Sequence, residues 1–487
     1  MIDLTTWSTP NGRKIRVMGA GATTALLIAA AMSPVHAADF EVHGDLNHRF
    51  EVFNNQDEFF NGFNSGGDGV IRDDDEARDG NFADVKYRLW TEISPDDDRA
   101  KGIVALELGG IRFGDEDDGG AFSGDAENVE TRWAYGDFAL PWAPDHRLNA
   151  GLQPHAVNQH VWGETAAGVT VKGPLSDTVD YSLAWMRGDD ATGTGNNGRN
   201  DGFDSADGFS LNLDADLSSA LQVGVFGLFQ RNDQNTGSGV VDATEYEVKS
   251  ISDSEYELWT VGTDGRFNMP MGGGGGFARW DLILQSGDID DVAFESFDSA
   301  GTGGTNTGQQ NFDLNAFFGR LDLGYETGAK TYTYTFWYSS GDDAANDDDF
   351  DAFMATDVDT NDSMIFFENM TDDNFFAETP YLLDKGFMLN KFQVDHRLTP
   401  NVELTGLASY HRLAADVQLG NGDREDELGV ELGGRISYEP TNQYEIASEV
   451  AYLLADDAMD AFEADPIKDG ASDEDLWHFA ARIRYKF

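Results

Sequence analysis

The chain has 487 residues, with 32 Lys and Arg against 89 Asp and Glu, no cysteine, and a formal net charge of −57. So acidic a chain has no basic footprint for nucleic acid, and the absence of thiols excludes disulfides, thiolate metal centres and covalently attached haem. Aromatics make up 12% and Gly numbers 55, which is too many rings for an acidic disordered polymer and suits strands joined by tight turns.

Residues 1–37 read as a secretory signal peptide: Arg13, Lys14 and Arg16 supply the positive region, Val17 to Met32 the apolar region, and Val35-His36-Ala37 the small-residue cleavage site. The remainder, 38–487, is expected to form one domain. Nothing in it is long and apolar enough for a membrane helix, so a membrane form must be a barrel. Eighteen segments read as strands: 40–53, 82–94, 100–113, 128–140, 147–153, 165–173, 178–188, 206–217, 221–231, 255–267, 276–286, 312–326, 331–340, 387–397, 402–413, 427–438, 444–454 and 475–487. The shortness of 147–153 leaves sixteen as the alternative.

The connections alternate in length. Even-numbered segments are followed by short turns such as Pro141-Trp142-Ala143-Pro144, Pro174-Leu175-Ser176-Asp177 and Pro440-Thr441-Asn442-Gln443. Odd-numbered ones are followed by long polar loops, including 54–81, 154–164, 189–205, 287–310 and 341–386. Short turns at one end and long loops at the other are the asymmetry of an outer-membrane β-barrel. That reading puts the turns and both termini in the periplasm and the acidic loops outside a Gram-negative cell. The acid runs, Asp73 to Glu76, Asp96 to Asp98 and Asp347 to Asp349, suit an exterior adapted to high ionic strength or divalent cations, or equally a set of solvated loops.

Strand faces agree. In 427–438, Leu428, Val430, Leu432, Ile436 and Tyr438 oppose Glu431 and Arg435; in 331–340, Tyr332, Tyr334, Phe336 and Tyr338 oppose threonines. Segment 312–326 changes parity near Phe317-Phe318, as a bulge would produce, and 387–397 fits neither face. In the final segment Trp477, Phe479, Ile483, Tyr485 and Phe487 alternate with His478, Arg482, Arg484 and Lys486. A terminal Phe after alternating aromatics resembles the signal read by the barrel-assembly machinery.

The stretches 'LNAGLQPHAVNQ' and 'ELGVELGGRISYEPTNQYEIASEVAYLLADD', with the ending 'DLWHFAARIRYKF', resemble the alginate-export-like family of eighteen-stranded outer-membrane porins. Leu152 stands where that family often has Arg. The resemblance implies a transport barrel, surrounded by lipid and lipopolysaccharide, and a monomer, where general diffusion porins are often homotrimers.

Lumenal candidates on the inward parity are Lys86, Arg88, Arg132, Arg279, Arg320, Arg435, Arg482, Arg484 and Lys486, with Glu431, Glu445, Glu449 and His478. They would select a solute by charge, anionic or carbohydrate solutes included, or brace the wall by pairing across strands. The loop 341–386 holds fourteen acids and one Lys, yet also Met364-Ile365-Phe366-Phe367 and Phe375-Phe376. It is expected to fold inward, cap the mouth, hold a neighbour or pack on adjacent loops. Within it Asp357, Asp359, Asn361 and Glu368 have the spacing of a calcium loop, with Asp362 where the turn Gly belongs. No other cofactor is expected. His155, His160, His411 and His478 join no nucleophile motif, so no enzyme is expected. The expectation is a passive diffusion channel for small hydrophilic solutes or ions. Its alternative is a structural barrel holding a partner protein at the outer membrane.

Overall fold

The structure, a computed structural model, describes residues 39–54, 80–95, 99–114, 120, 129–190, 205–232, 240–242, 247–248, 255–297, 304–342, 349–356, 360–367, 370, 385–418, 423–462 and 475–487. The expected signal peptide lies outside them. Eighteen antiparallel strands form the wall. They are β1 Asp39–Phe53, β2 Gly80–Ser94, β3 Ala100–Arg112, β4 Val129–Leu140, β5 Ala143–Pro154 and β6 Thr165–Ser176. Next come β7 Val179–Asp190, β8 Ser205–Ser218, β9 Leu221–Asn232, β10 Glu255–Met271, β11 Gly274–Phe297 and β12 Gly304–Thr327. The last six are β13 Lys330–Ser339, β14 Phe387–Thr399, β15 Val402–Gln418, β16 Arg424–Thr441, β17 Tyr444–Ala455 and β18 Leu476–Lys486.

Each strand pairs with its sequence neighbours, and β18 returns to β1 from Asp45 opposite Lys486 to Phe53 opposite His478. Closure removes both sheet edges, so every strand's backbone groups find partners without water. Three short segments, Val240–Asp242, Glu247–Val248 and Asp349–Phe350, add to the sheet at the long-loop end. Strands β11 and β12 have 24 residues each, against the roughly 9–11 that cross a bilayer, so this hairpin projects well past the wall.

Along each strand the side chains alternate between two surroundings. Leu211, Val225, Val261, Leu282, Leu323 and Ile436 point outward and are exposed, while the inward set carries the ion pairs. Two expectations need correction. Segment 312–326 has no bulge: Phe312, Leu314, Ala316, Phe318 and Asp322 are all buried on one parity, and the pairing with β11 runs unbroken from Phe312 to Glu326. Leu428 is not outward; it is fully buried, because Gly429 (φ 125°) and a register slip opposite Arg412 reverse the parity of β16 there.

The apolar core lies inside the barrel, where two loops fold inward. The loop between β5 and β6 contributes Val157, Val161 and Trp162; the loop between β13 and β14 contributes Phe350, Phe353 and Met364 to Phe367. They meet where Thr356 N donates to Val161 O at 2.8 Å. This explains the poor patterning of β14, since Phe387 and Leu389 face inward yet are apolar because loop side chains cover them.

Strand β5 starts at Ala143, and its pairing with β4 depends on Gly151. There φ is 129°, and an added Cβ would lie 2.3 Å from Ala134 O. Gly151→Ala is therefore expected to destabilise the barrel by about 1–3 kcal/mol. The check is the temperature at which the folded form loses its faster gel mobility, and an unchanged temperature would contradict it.

Candidate functional site: the charged lumen and its inward loops

Most of the sequence-predicted bases are tied to acids on neighbouring strands. Glu107 is approached by three: Lys86 at 3.4 Å, Arg88 at 2.5 Å and Arg132 at 3.9 Å, while Arg132 also reaches Glu164 at 2.6 Å. Arg435 pairs with Glu449 at 2.6 Å, Arg482 with Glu445 at 2.8 Å, and Arg484 with Asp45. His478 Nε2 lies 2.7 Å from Glu51. Lys486 is exposed at the rim, its N–H bonded to Gln443 O. These contacts brace successive strands, the second of the two expected roles.

A different arrangement surrounds the inward loops. Asp362, 3% exposed, takes Lys391 at 2.6 Å and Arg320 at 2.9 Å. Burial alone would raise the Asp362 carboxyl; Lys391 and Arg320 outweigh it and hold the group well below the ordinary carboxylate range. The next residue donates Ser363 Oγ–H to Glu431 at 2.5 Å, and Met364 N donates to the same carboxylate at 2.8 Å. Glu431 also meets His411 at 3.2 Å. Phe367 stacks on Trp337 with centroids 5.3 Å apart, and Phe366 lies 4.7 Å from the His411 ring. One stretch of loop is thus held by two charged anchors and an aromatic seat.

The other loop is held by Asn158, whose amide donates to Asp281 at 2.9 Å and reaches Asp264 at 3.4 Å. Beside it His160 packs 4.6 Å from Phe318 and 5.1 Å from Trp337, with Arg320 donating to its Nε2 at 3.3 Å and Asp281 at 3.8 Å. Burial pushes this imidazole down from 6.5 to about 3; Arg320 acts in the same sense and Asp362 opposes. His155, against Trp162, is lowered to about 4 by burial. Both rings are neutral when seated. A displaced, solvated loop takes up protons at the ordinary pKa, so seating weakens as pH falls from about 6.5 toward 3. Current fluctuations are expected to grow over that interval and to flatten in the His155→Gln/His160→Gln double variant. A wild-type record insensitive to pH would contradict this.

Below the loops, toward the short turns, opens a cavity of about 1030 Å³. Arg279, Arg320, Lys391 and Arg435 line it, as do Asp180, Asp214, Asp264, Asp281 and Asp322. Of the expected calcium ligands, Asn361 is exposed on this cavity; Asp357, Asp359 and Glu368 lie outside the described residues. Among those described, no cluster of three metal-ligating side chains occurs.

Several residues here escaped sequence reasoning. Lys391 sat in the strand without clear parity, and Trp337 was hidden between outward aromatics. Asp362 was noted only as a departure from a calcium loop. Asp281 is lumenal by its inward parity alone, but Asp264 and its opposition to Asp281 become legible only with the hairpin register of β10 and β11.

No family model and no curated protein matches the chain. Among solved structures it is similar to Pseudomonas aeruginosa OccK9 (OpdG), TM-score 0.51, and to Acinetobacter baumannii OccAB4, TM-score 0.50. Both are 11% identical, over 92% of this chain and 98% of theirs. The resemblance to alginate-export-like porins finds no support in these comparisons. What the chain shares with these structures is the fold, a closed eighteen-stranded antiparallel barrel.

Proposed function

We propose that the protein is an outer-membrane porin, a passive channel for small hydrophilic solutes. The observation that carries this is the pairing of opposite surroundings across one sheet: an exposed apolar outer face, and an inner face of charged side chains around a cavity. A solute in such a lumen keeps its water or exchanges it for wall hydrogen bonds, so the hydrocarbon barrier is avoided. The inward loops narrow the path and act as the size filter. In this reading the short turns and both termini are periplasmic, lipid and lipopolysaccharide cover the apolar belt, and Phe487 addresses the chain to the assembly machinery. Swelling of proteoliposomes in sugars of graded size tests it. Rapid swelling with small sugars that falls off with size is expected; no swelling with the smallest, from correctly folded barrel, would overturn it.

A further inference from the structure

Each base on the cavity has an acid partner. Arg266 lies 3.6 Å from Glu326, Arg279 3.1 Å from Asp322, Arg320 2.9 Å and Lys391 2.6 Å from Asp362, and Arg435 2.6 Å from Glu449. The reverse does not hold. Asp180, Asp214, Asp264 and Asp281 also line the cavity, and among the described residues none of the four is in ion-pair contact with a Lys or Arg, although Asp281 stands opposite Arg320. Asp264 and Asp281 receive the neutral amide of Asn158 instead.

Register makes these four a row. Asp180 stands opposite Asp214 and Asp264 opposite Asp281, while Asp214 and Asp264 flank the same glycine, Gly224. That position leaves the gap between them open: a Cβ on Gly224 would lie 2.5 Å from Asp264 Oδ1. Like charges directly opposed on adjacent strands weaken a sheet. Arg266 opposite Arg279 is a second such pair, but there the neighbouring strand supplies compensating acids. For the aspartate row the wall supplies only Arg320, which stands opposite Asp281 and is shared with Asp322 and Asp362, so Asp180, Asp214 and Asp264 are left to be compensated by a cation from the lumen.

We propose that the inward loop sets the sign of the channel's charge selection. Asp362, Asp322 and Asp281 together offset Arg279, Arg320 and Lys391, and the remaining Asp180, Asp214 and Asp264 then make the pore select cationic solutes, of the alkylammonium or guanidinium class. The inference rests on the channel reading above and adds the substrate class. Without Asp362, Lys391 loses its carboxylate and Arg320 keeps only Asp322 and Asp281, so the added positive charge beside the row weakens the field that a narrow low-dielectric tube focuses.

The test is the reversal potential of the full chain in a planar bilayer under a potassium chloride gradient, repeated with tetramethylammonium and with guanidinium chloride. Wild type is expected to pass these cations over chloride. Asp264→Asn/Asp281→Asn and, separately, Asp362→Asn are each expected to lower the cation-to-chloride permeability ratio several-fold. Asp362→Asn also loosens the loop, so Glu431→Gln, which loosens it without exposing a lumenal cation, serves as comparison: it is expected to change conductance more than the ratio. Current with a chloride preference in wild type overturns the inference and leaves the channel reading standing. So does a ratio unmoved in both aspartate variants, each first shown to be folded by its gel mobility. No current from folded wild type overturns the channel reading, and this inference with it.

Discussion

Replacing Phe366 and Phe367 together by Ala is expected to raise single-channel conductance several-fold while leaving the barrel folded. The two rings are the aromatic seat of the inward loop: Phe367 lies parallel to Trp337 (3° between planes), and Phe366 packs 6.1 Å from Phe387 and against His411. All are essentially buried. Removing a buried Phe side chain costs about 3–5 kcal/mol, and two such losses exceed what the remaining anchors at Asp362 and Glu431 are expected to hold. The wall itself is not touched, because its hydrogen bonds run from strand to strand. Unchanged conductance in the folded variant would show that this loop does not limit the path.

Arg49→Met is expected to destabilise the barrel by about 3–5 kcal/mol, since it strands the Asp84 carboxylate without a counter-charge. Arg49 is 3% exposed and Asp84 0%, and the guanidinium meets the carboxylate through two hydrogen bonds, one of them 2.7 Å. The pair joins β1 to β2 next to the seam where β1 closes on β18. The measurement is the urea midpoint of the barrel in lipid vesicles. Arg49→Met/Asp84→Leu, which removes both charges, should recover most of the loss, because a pair replaced by apolar groups of similar volume leaves nothing unsatisfied. A single variant as stable as wild type would mean that Asp84 is hydrated after all.

The wall was almost wholly legible in the sequence because each of its signals is local. Two-residue turns leave Pro, Gly, Asn and Asp at regular intervals, and an apolar outside with a polar inside imposes a period of two. The eighteen segments read from pattern correspond one to one with β1 to β18. The readings that failed did so where the interior stops being polar. Phe387, Leu389, Phe318 and Trp337 occupy inward positions but are apolar, since they pack against loop residues. Alternation then breaks, and a parity change was inferred where none exists. Leu428 was assigned outward because a positive φ at Gly429 cannot be seen in a pattern of apolar residues.

The loop itself carried a true signal that could not be resolved. Met364 to Phe367 is too apolar for a solvated loop, yet its destination depends on partners far along the chain. The ion pairs of Asp362 have the same character: Arg320 is 42 residues away and Lys391 is 29. Charge composition pointed to an acidic protein, but only the cross-strand register separates acids that offset a base from those, such as Asp180, Asp214 and Asp264, that face the cavity without one. The wall of the barrel is therefore readable from pattern, while the seating of its inward loops is readable only from tertiary pairing.

Single-channel recording of the full chain reconstituted in a planar lipid bilayer tests the central claim most directly. The account predicts discrete, voltage-independent opening steps whose conductance scales with bulk salt, as expected for a water-filled lumen narrowed by folded loops. A silent bilayer, loaded with barrel that is folded by its heat-dependent gel mobility, would contradict it and mean that the loops seal the lumen.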